Sequence, residues 1–376
     1  MKNPFEYGGV VTGEAFCNRR KELNDLCRAM ENSEKLFVFS ERRFGKTSLA
    51  LRSLRKLPQK NFITAYVDLW PTDGETSFAT TMARGLTQAL ANTPRMILEV
   101  SRNLFGRLSP TIITDEQGTP TVRFEFNKSR PDPPELEEVL SSPARIAQKR
   151  GKKVVIIFDE FQQILEYESD LVERQMRSLI QRHKDVAYIF LGSRKHLIKK
   201  MVLDRARPLY QAGGHYPLGP IAERHWRPFI QKKFVAADKI IDVATIVDLC
   251  EFTEGHPFYT QHLSHALWEL CEPGEKVTPA MMELALSLLL QRESYAYTAL
   301  WESFSKNARR FLKGLANEPP GVQPFSGKFV RAYRLGSASN AQRAVDSLLT
   351  GDVIDHENGS FIIVDRFFKL WIKRLI

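Results

Sequence analysis

The chain has 376 residues, 43% hydrophobic and 26% charged, with 21 Gly and 20 Pro, an ordinary globular composition at a length that predicts two or three domains rather than one. Its apolar runs, such as Val154 to Phe158 and Leu284 to Leu290, fall far short of the roughly 18 residues that span a bilayer, and the start, MKNPFEYGG, lacks the apolar stretch of a secretory signal, so a cytoplasmic protein with no membrane partner is expected. An excess of 54 Lys and Arg over 44 Asp and Glu gives a formal charge of +10, which admits a polyanionic partner without requiring one.

In chain order, Leu23, Leu26 and Met30 share a face of a helix from about Asn18 to Met30. Lys35-Leu36-Phe37-Val38-Phe39 reads as a strand, and Leu49, Leu51, Leu54 and Leu57 as the helix after the loop that follows. Phe62 to Trp70 is a second strand and Thr76 to Ala91 a helix, completing a βαβ unit. From Pro94 to about Pro134 the turn formers Gly106, Pro110, Gly118, Pro120, Pro131, Pro133 and Pro134 suggest an irregular insertion with one strand at Thr121 to Phe126. Alternation resumes with a helix near Glu135 to Arg150, the strand Lys153 to Phe158, a helix at about Asp170 to Lys184, the strand Val186 to Leu191 and a short strand near His215 to Leu218. Residues 1–221 therefore predict an α/β domain with a five-stranded parallel sheet. Residues 222–292 read as all-helical, broken at Gly255-His256-Pro257 and Pro273-Gly274. In residues 293–376, helices at Ser305 to Ala316, Ser326 to Tyr333 and Ala338 to Leu349 precede a hairpin, Val353 to Asp355 and Phe361 to Val364, turning at Asn358-Gly359. That is the winged-helix pattern. Cys17, Cys27, Cys250 and Cys271 are scattered without a CxxC pair, and His262, His265 and Cys271 have no ligand spacing, so neither a zinc site nor disulfides are expected.

The chemistry gathers at strand ends. Ser40-Glu41-Arg42-Arg43-Phe44-Gly45-Lys46-Thr47-Ser48 lies between a strand and a helix, the context of a phosphate loop in which backbone N–H groups and the helix N-terminus face phosphates, Lys46 reaches the β and γ oxygens and the Thr47 hydroxyl ligates magnesium. Ser40, Arg43, Phe44, Gly45, Lys46, Thr47 and Ser48 are thus candidate nucleotide contacts. Ser40 stands where the general pattern has its first glycine, so a residue with a Cβ must make the turn off the strand. About 110 residues later the apolar run Val154 to Phe158 ends in Asp159-Glu160, where Asp159 would hold the magnesium shell and Glu160 would act as general base toward water. A polar group of Gly192-Ser193-Arg194 could sense the γ-phosphate, with Arg194 the candidate; Arg205 and Arg207 are candidate arginine fingers, and Asp68 is a strand-end acid.

Asn3-Pro4-Phe5, Val11-Thr12-Gly13, Phe16, Arg19 and Glu22-Leu23, followed by SERRFGKTSL, VVIIFDEFQ, FLGS, GHPF and the winged helix, together resemble the archaeal-type P-loop ATPases of the STAND class within the broader AAA+ group. The resemblance spans nearly the whole chain. It implies a P-loop NTPase core of ASCE strand order, a helical lid and a C-terminal winged helix, with ATP or ADP and Mg²⁺ held between core and lid. It also implies that Val11, Phe16 and Arg19 lie over the adenine and that Pro257 touches the nucleotide.

Two functions follow as expectations. One is a magnesium-dependent, slow ATPase acting as a conformational switch read by a protein partner. The other is an ATP-loaded protein that binds double-stranded DNA, with oligomerisation of the chain on the duplex. Residues 293–376 carry 12 Lys and Arg against 8 Asp and Glu, a net of +4, yet the helix Ala338 to Leu349 has only Arg343 as a cation, whereas Lys328, Arg331 and Arg334 lie on the helix before it. That helix is poorly equipped for phosphate and base-edge contacts, and the resemblance to switch ATPases, in which such a domain often packs on the nucleotide core, favours docking of the winged helix within the chain over DNA reading.

Overall fold

In the computed structural model, which describes residues 2–375 except 107, 116–117, 127–132, 320 and 358, the apolar runs of the first half become strands of one sheet. The chain divides into two units. A sheet unit comprises Arg19–Arg42 and Lys46–Leu218; a helical unit comprises Met1–Asn18, Arg43–Gly45 and Gly219–Ile376.

The sheet unit runs α1 (Arg20–Glu31), β1 (Lys35–Phe39), α2 (Lys46–Lys56), β2 (Phe62–Asp68), α3 (Glu75–Leu90), α4 (Pro94–Leu104), β3 (Leu108–Thr114), β4 (Pro120–Phe126), α5 (Pro133–Arg150), β5 (Lys153–Asp159), α6 (Leu171–Ile180), β6 (Val186–Gly192), α7 (Lys195–Leu203) and β7 (Gly214–Pro217). Five strands pair in parallel in the order β2-β5-β6-β1-β7. This is the expected five-stranded parallel sheet, with β6 between the strand that feeds the Gly-Lys-Thr loop and the strand that ends in two carboxylates. Strand β6 is buried along its whole length and β5 from Val154 onward, as central strands covered on both faces must be. Because the strands are parallel and in register, their C-terminal tips align: Phe39 lies opposite Gly192 and Asp68 opposite Asp159.

Residues 94–126 depart from the irregular insertion expected. Pro94 begins α4, as N1 of a helix capped by the Thr93 hydroxyl, which accepts from the Met96 N–H, because the missing proline N–H is one that a first turn leaves unpaired anyway. Strands β3 and β4 then pair as an antiparallel hairpin, of which the sequence pattern predicts only β4. Pro110 is tolerated in β3 because a two-stranded ribbon has free edges. Phe105, Leu108, Val122 and Phe124 join the core of the sheet unit. Pro131 lies outside the described residues.

The helical unit contains α8 (Glu223–Val235), α9 (Val243–Thr253), α10 (Pro257–Leu270), α11 (Pro279–Ser303), α12 (Lys306–Asn317), α13 (Gly327–Ala332), α14 (Ala338–Thr350), β8 (Ile354–Glu357), β9 (Ser360–Ile363) and α15 (Arg366–Arg374). Helix α11 runs unbroken across residues 292 and 293, and one hydrophobic core joins Trp226 and Ile230 of α8 to Phe311 of α12 and Phe367 of α15. Strands β8 and β9 pair as the expected antiparallel wing, and Gly336 supplies the left-handed turn before α14 at φ 81°. Of the wing turn, Gly359 is left-handed at φ 83°, while Asn358 lies outside the described residues. Helix α15 lies beyond the predicted elements. It is held by Glu254, whose carboxylate pairs with the buried Arg366 at 2.9 Å and with Lys369 at 2.5 Å.

Candidate active site

The loop between β1 and α2 makes its turns without strain at Ser40. Left-handed backbone falls instead on Arg43 at φ 60° and Gly45 at φ 81°, and Ser40 is absent from the positive-φ residues, so its Cβ meets none of the penalty a serine would suffer in that region. The Lys46 ammonium turns back onto the loop, donating to the Glu41 carbonyl at 2.8 Å and the Ser40 hydroxyl at 3.1 Å. Burial lowers its pKa to about 8, against the upward pull of the Glu160, Asp159 and Glu41 carboxylates. Beneath the loop, Glu41 pairs with Lys195 at 3.2 Å, both almost fully buried. Phe44 and Ser48 are buried as well. Within the helical unit, Phe44 packs edge-on against His256 at 4.4 Å and Arg43 lies over the Phe258 ring at 4.3 Å.

Loop and acidic strand meet directly. The Thr47 hydroxyl donates to Asp159 Oδ2 at 2.6 Å, the Tyr66 hydroxyl donates to the same oxygen at 2.7 Å, and the Glu160 N–H donates to Oδ1 at 2.9 Å. Burial raises the Asp159 pKa, and the Thr47 and Tyr66 hydrogen bonds oppose that rise. Glu160 follows in left-handed backbone, φ 51° and ψ 44°, at the start of a short 3-10 turn, Phe161–Glu166. Its Oε2 accepts from the Ser193 hydroxyl and from Gln162 Nε2, each at 2.5 Å, and Gln162 Oε1 in turn accepts from the Ser193 N–H at 3.3 Å. Two donors thus converge on one carboxylate oxygen and fix the direction of the other.

The structure gathers Ser40, Lys46, Thr47, Asp159 and Glu160 as one cluster. It places the arginines elsewhere: Arg194 Nη1 donates to Glu166 at 2.9 Å, Arg207 is paired with the buried Glu173, and Arg205 is exposed. Asp68 accepts from the Trp70 N–H at 3.0 Å. Arg19, left-handed and buried, pairs with Glu22 at 2.9 Å in the sheet unit. Val11, Phe16 and Pro257 belong to the helical unit. There Gln261 Nε2 donates to the Ala15 carbonyl at 3.1 Å, and Pro257 opens α10 as its first residue. Gly255 precedes it at φ 65°, where an added Cβ would stand 2.5 Å from the Ile221 carbonyl oxygen. Sequence reasoning missed Tyr66 and Gln162 and passed over Ser193 in favour of Arg194. Ser193 alone left a signal, as the first residue beyond an apolar strand.

Among curated proteins, none matches the chain in sequence. Among solved structures, the Walker-type ATPase of Pyrococcus abyssi is similar over 98% of this chain and 99% of its own, with TM-score 0.66 and 16% identity. The ORC2 protein of Aeropyrum pernix, in its ADPNP–ADP complexes, is similar over 100% and 98%, with TM-score 0.57 and 12% identity. The ORC1 protein of the same organism, in complex with DNA, is similar over 97% and 96%, with TM-score 0.50 and 12% identity. At these identities the likeness is one of fold. Residues 295–374 match the family described as "Probable winged helix domain". Residues 16–261, which hold the loop, the acidic strand tip and the sheet between them, match the family described as "ATPase domain predominantly from Archaea", and the chain belongs to that family.

Proposed function

We propose that the protein binds ATP with magnesium, hydrolyses it slowly and uses the bound nucleotide to control its conformation, a difference that a protein partner reads. The observation that carries this reading is the 2.6 Å hydrogen bond from Thr47 to Asp159, which joins the phosphate loop to the acidic strand tip. The N–H groups that open α2 and the Lys46 ammonium suit a polyphosphate. The Thr47 hydroxyl and Asp159 carboxylate are oxygen donors of the kind a hard cation takes. Among the described residues no group of three or more His, Cys, Asp or Glu could hold a metal alone, so an ion at Thr47 and Asp159 would keep water or phosphate oxygens in its shell, as magnesium does. Magnesium, when bound, neutralises charge on the β and γ oxygens. Glu160, held through Oε2, presents Oε1 to take a proton from the attacking water. Arg194 and Arg207, the other candidates toward the phosphate, are paired with Glu166 and Glu173. The nucleotides on the ORC2 neighbour support the same reading.

Nucleotide binding and turnover by the purified protein test the proposal. Lys46→Ala should abolish binding of ATP and ADP. Glu160→Gln should keep binding and lose turnover by about 10²- to 10⁴-fold. Turnover by Glu160→Gln at the wild-type rate would remove Glu160 as the base.

A further inference from the structure

The helical unit carries a groove of about 530 Å³ lined by Trp301, Lys306, Arg309, Arg310 and Lys313. The four cations fall at i, i+3, i+4 and i+7 of α12 and form one stripe. The opposite stripe, Ala308, Phe311, Leu312 and Leu315, is in the core, so the helix cannot turn the cations away. Lys306 with Arg310 and Arg309 with Lys313 are like charges at i, i+4, an arrangement that works against the helix. Among the described residues, no carboxylate lines the groove. The guanidinium groups are instead fixed by backbone carbonyls: Arg309 Nε donates to Phe304 O at 2.9 Å and Nη2 to Glu302 O at 2.7 Å, while Arg310 Nη1 donates to Arg334 O at 2.7 Å. Each keeps further N–H donors unspent. A cationic stripe with no carboxylate among its described lining residues, its guanidinium groups set in place by backbone carbonyls, is organised for a ligand with regularly spaced negative charge.

We infer that this groove binds a nucleic-acid strand, with the α12 cations on its phosphates and Trp301 against a sugar or base. Seven residues of helix rise about 10 Å, about three steps of a duplex at ~3.4 Å each along its axis. Arginine takes a phosphate through two N–H bonds, and an aromatic face accepts any base. A peptide of acidic residues alone would match the charge but has no ring to set against Trp301. The surface differs from α14, whose one cation, Arg343, donates to Asn340 Oδ1 at 2.6 Å.

The full chain is titrated with labelled single-stranded and duplex oligonucleotides across a salt series, reading anisotropy. Binding should weaken linearly in log salt. Lys306→Gln with Lys313→Gln, neither of which donates a side-chain hydrogen bond among the described residues, should keep the wild-type melting midpoint and weaken binding roughly tenfold. The salt slope should fall by about 1.8 on duplex or about 1.4 on a single strand, and the tighter of the two arms identifies the form bound. Absence of salt-dependent binding to either form would overturn the inference, as would wild-type affinity and slope in the variant. So would loss of binding on Lys328→Gln with Arg331→Gln alone, which places the contact on α13. A polyglutamate peptide that binds as tightly as the oligonucleotides would assign the groove to an acidic protein instead.

Discussion

Glu160 occupies left-handed backbone, φ 51° and ψ 44°, a conformation that costs a non-glycine residue of order 1 kcal/mol or more and is held only where the surroundings impose it. Those surroundings are Ser193 and Gln162, which share Glu160 Oε2. On the proposed mechanism Gln162→Ala should lower kcat about 10- to 100-fold and leave KM for ATP near its wild-type value, because the side chain sets the direction of the base and not the phosphate contacts. Steady-state kinetics check this, and a rise in KM at unchanged kcat would place Gln162 in binding instead. Glu173 gives a second residue-scale prediction. Burial raises its carboxyl from 4.5 to about 7, against the lowering effect of Arg207. A folded pKa above the unfolded one contributes stability that is full below about 4.5 and lost as pH rises through about 7. Relative to wild type, Glu173→Gln should therefore gain stability across that window, read as melting midpoints at several pH values; a variant that falls behind as pH rises would contradict it.

At the scale of elements, the turn after β6 is set by close approach. A Cβ on Gly192 would stand 2.3 Å from Ile198 Cγ1 and 3.0 Å from Gln162 Oε1. Gly192→Ala should therefore cost about 1–3 kcal/mol in urea unfolding and disturb the Glu160 clamp as well, so turnover should fall with stability. The elements read best from sequence were those whose signal is local: the apolar runs of β1, β5 and β6 and the glycine and lysine that mark a strand-to-helix loop. Helix α4 was lost because Pro94 reads as a breaker unless its place at N1 is recognised. Helix α15 has its own apolar pairs, Phe367 with Phe368 and Trp371 with Ile372, but it begins just beyond the wing that ends the usual pattern.

At the scale of the molecule, a ligand that binds only the folded state raises its stability in proportion to the logarithm of ligand excess, about 2.7 kcal/mol at 100 times Kd. Mg-ATP should therefore raise the melting midpoint of wild type and of Glu160→Gln, fail to do so for Lys46→Ala, and lose part of its effect when magnesium is chelated. An equal rise in Lys46→Ala would mean that nucleotide binds elsewhere. The sequence by itself determined the sheet class and the winged helix and singled out Lys46, Thr47, Asp159 and Glu160 as candidates, because each of these depends on periodicity or on spacing within one loop or strand end. Only the tertiary structure decided that Tyr66 reaches Asp159, that Gln162 and Ser193 share one oxygen of Glu160, and that Arg194 and Arg207 are engaged by Glu166 and Glu173. The reason is register. Which strands become neighbours, and how far each slides against the next, brings together residues dozens of positions apart, and no periodicity along the chain records that choice.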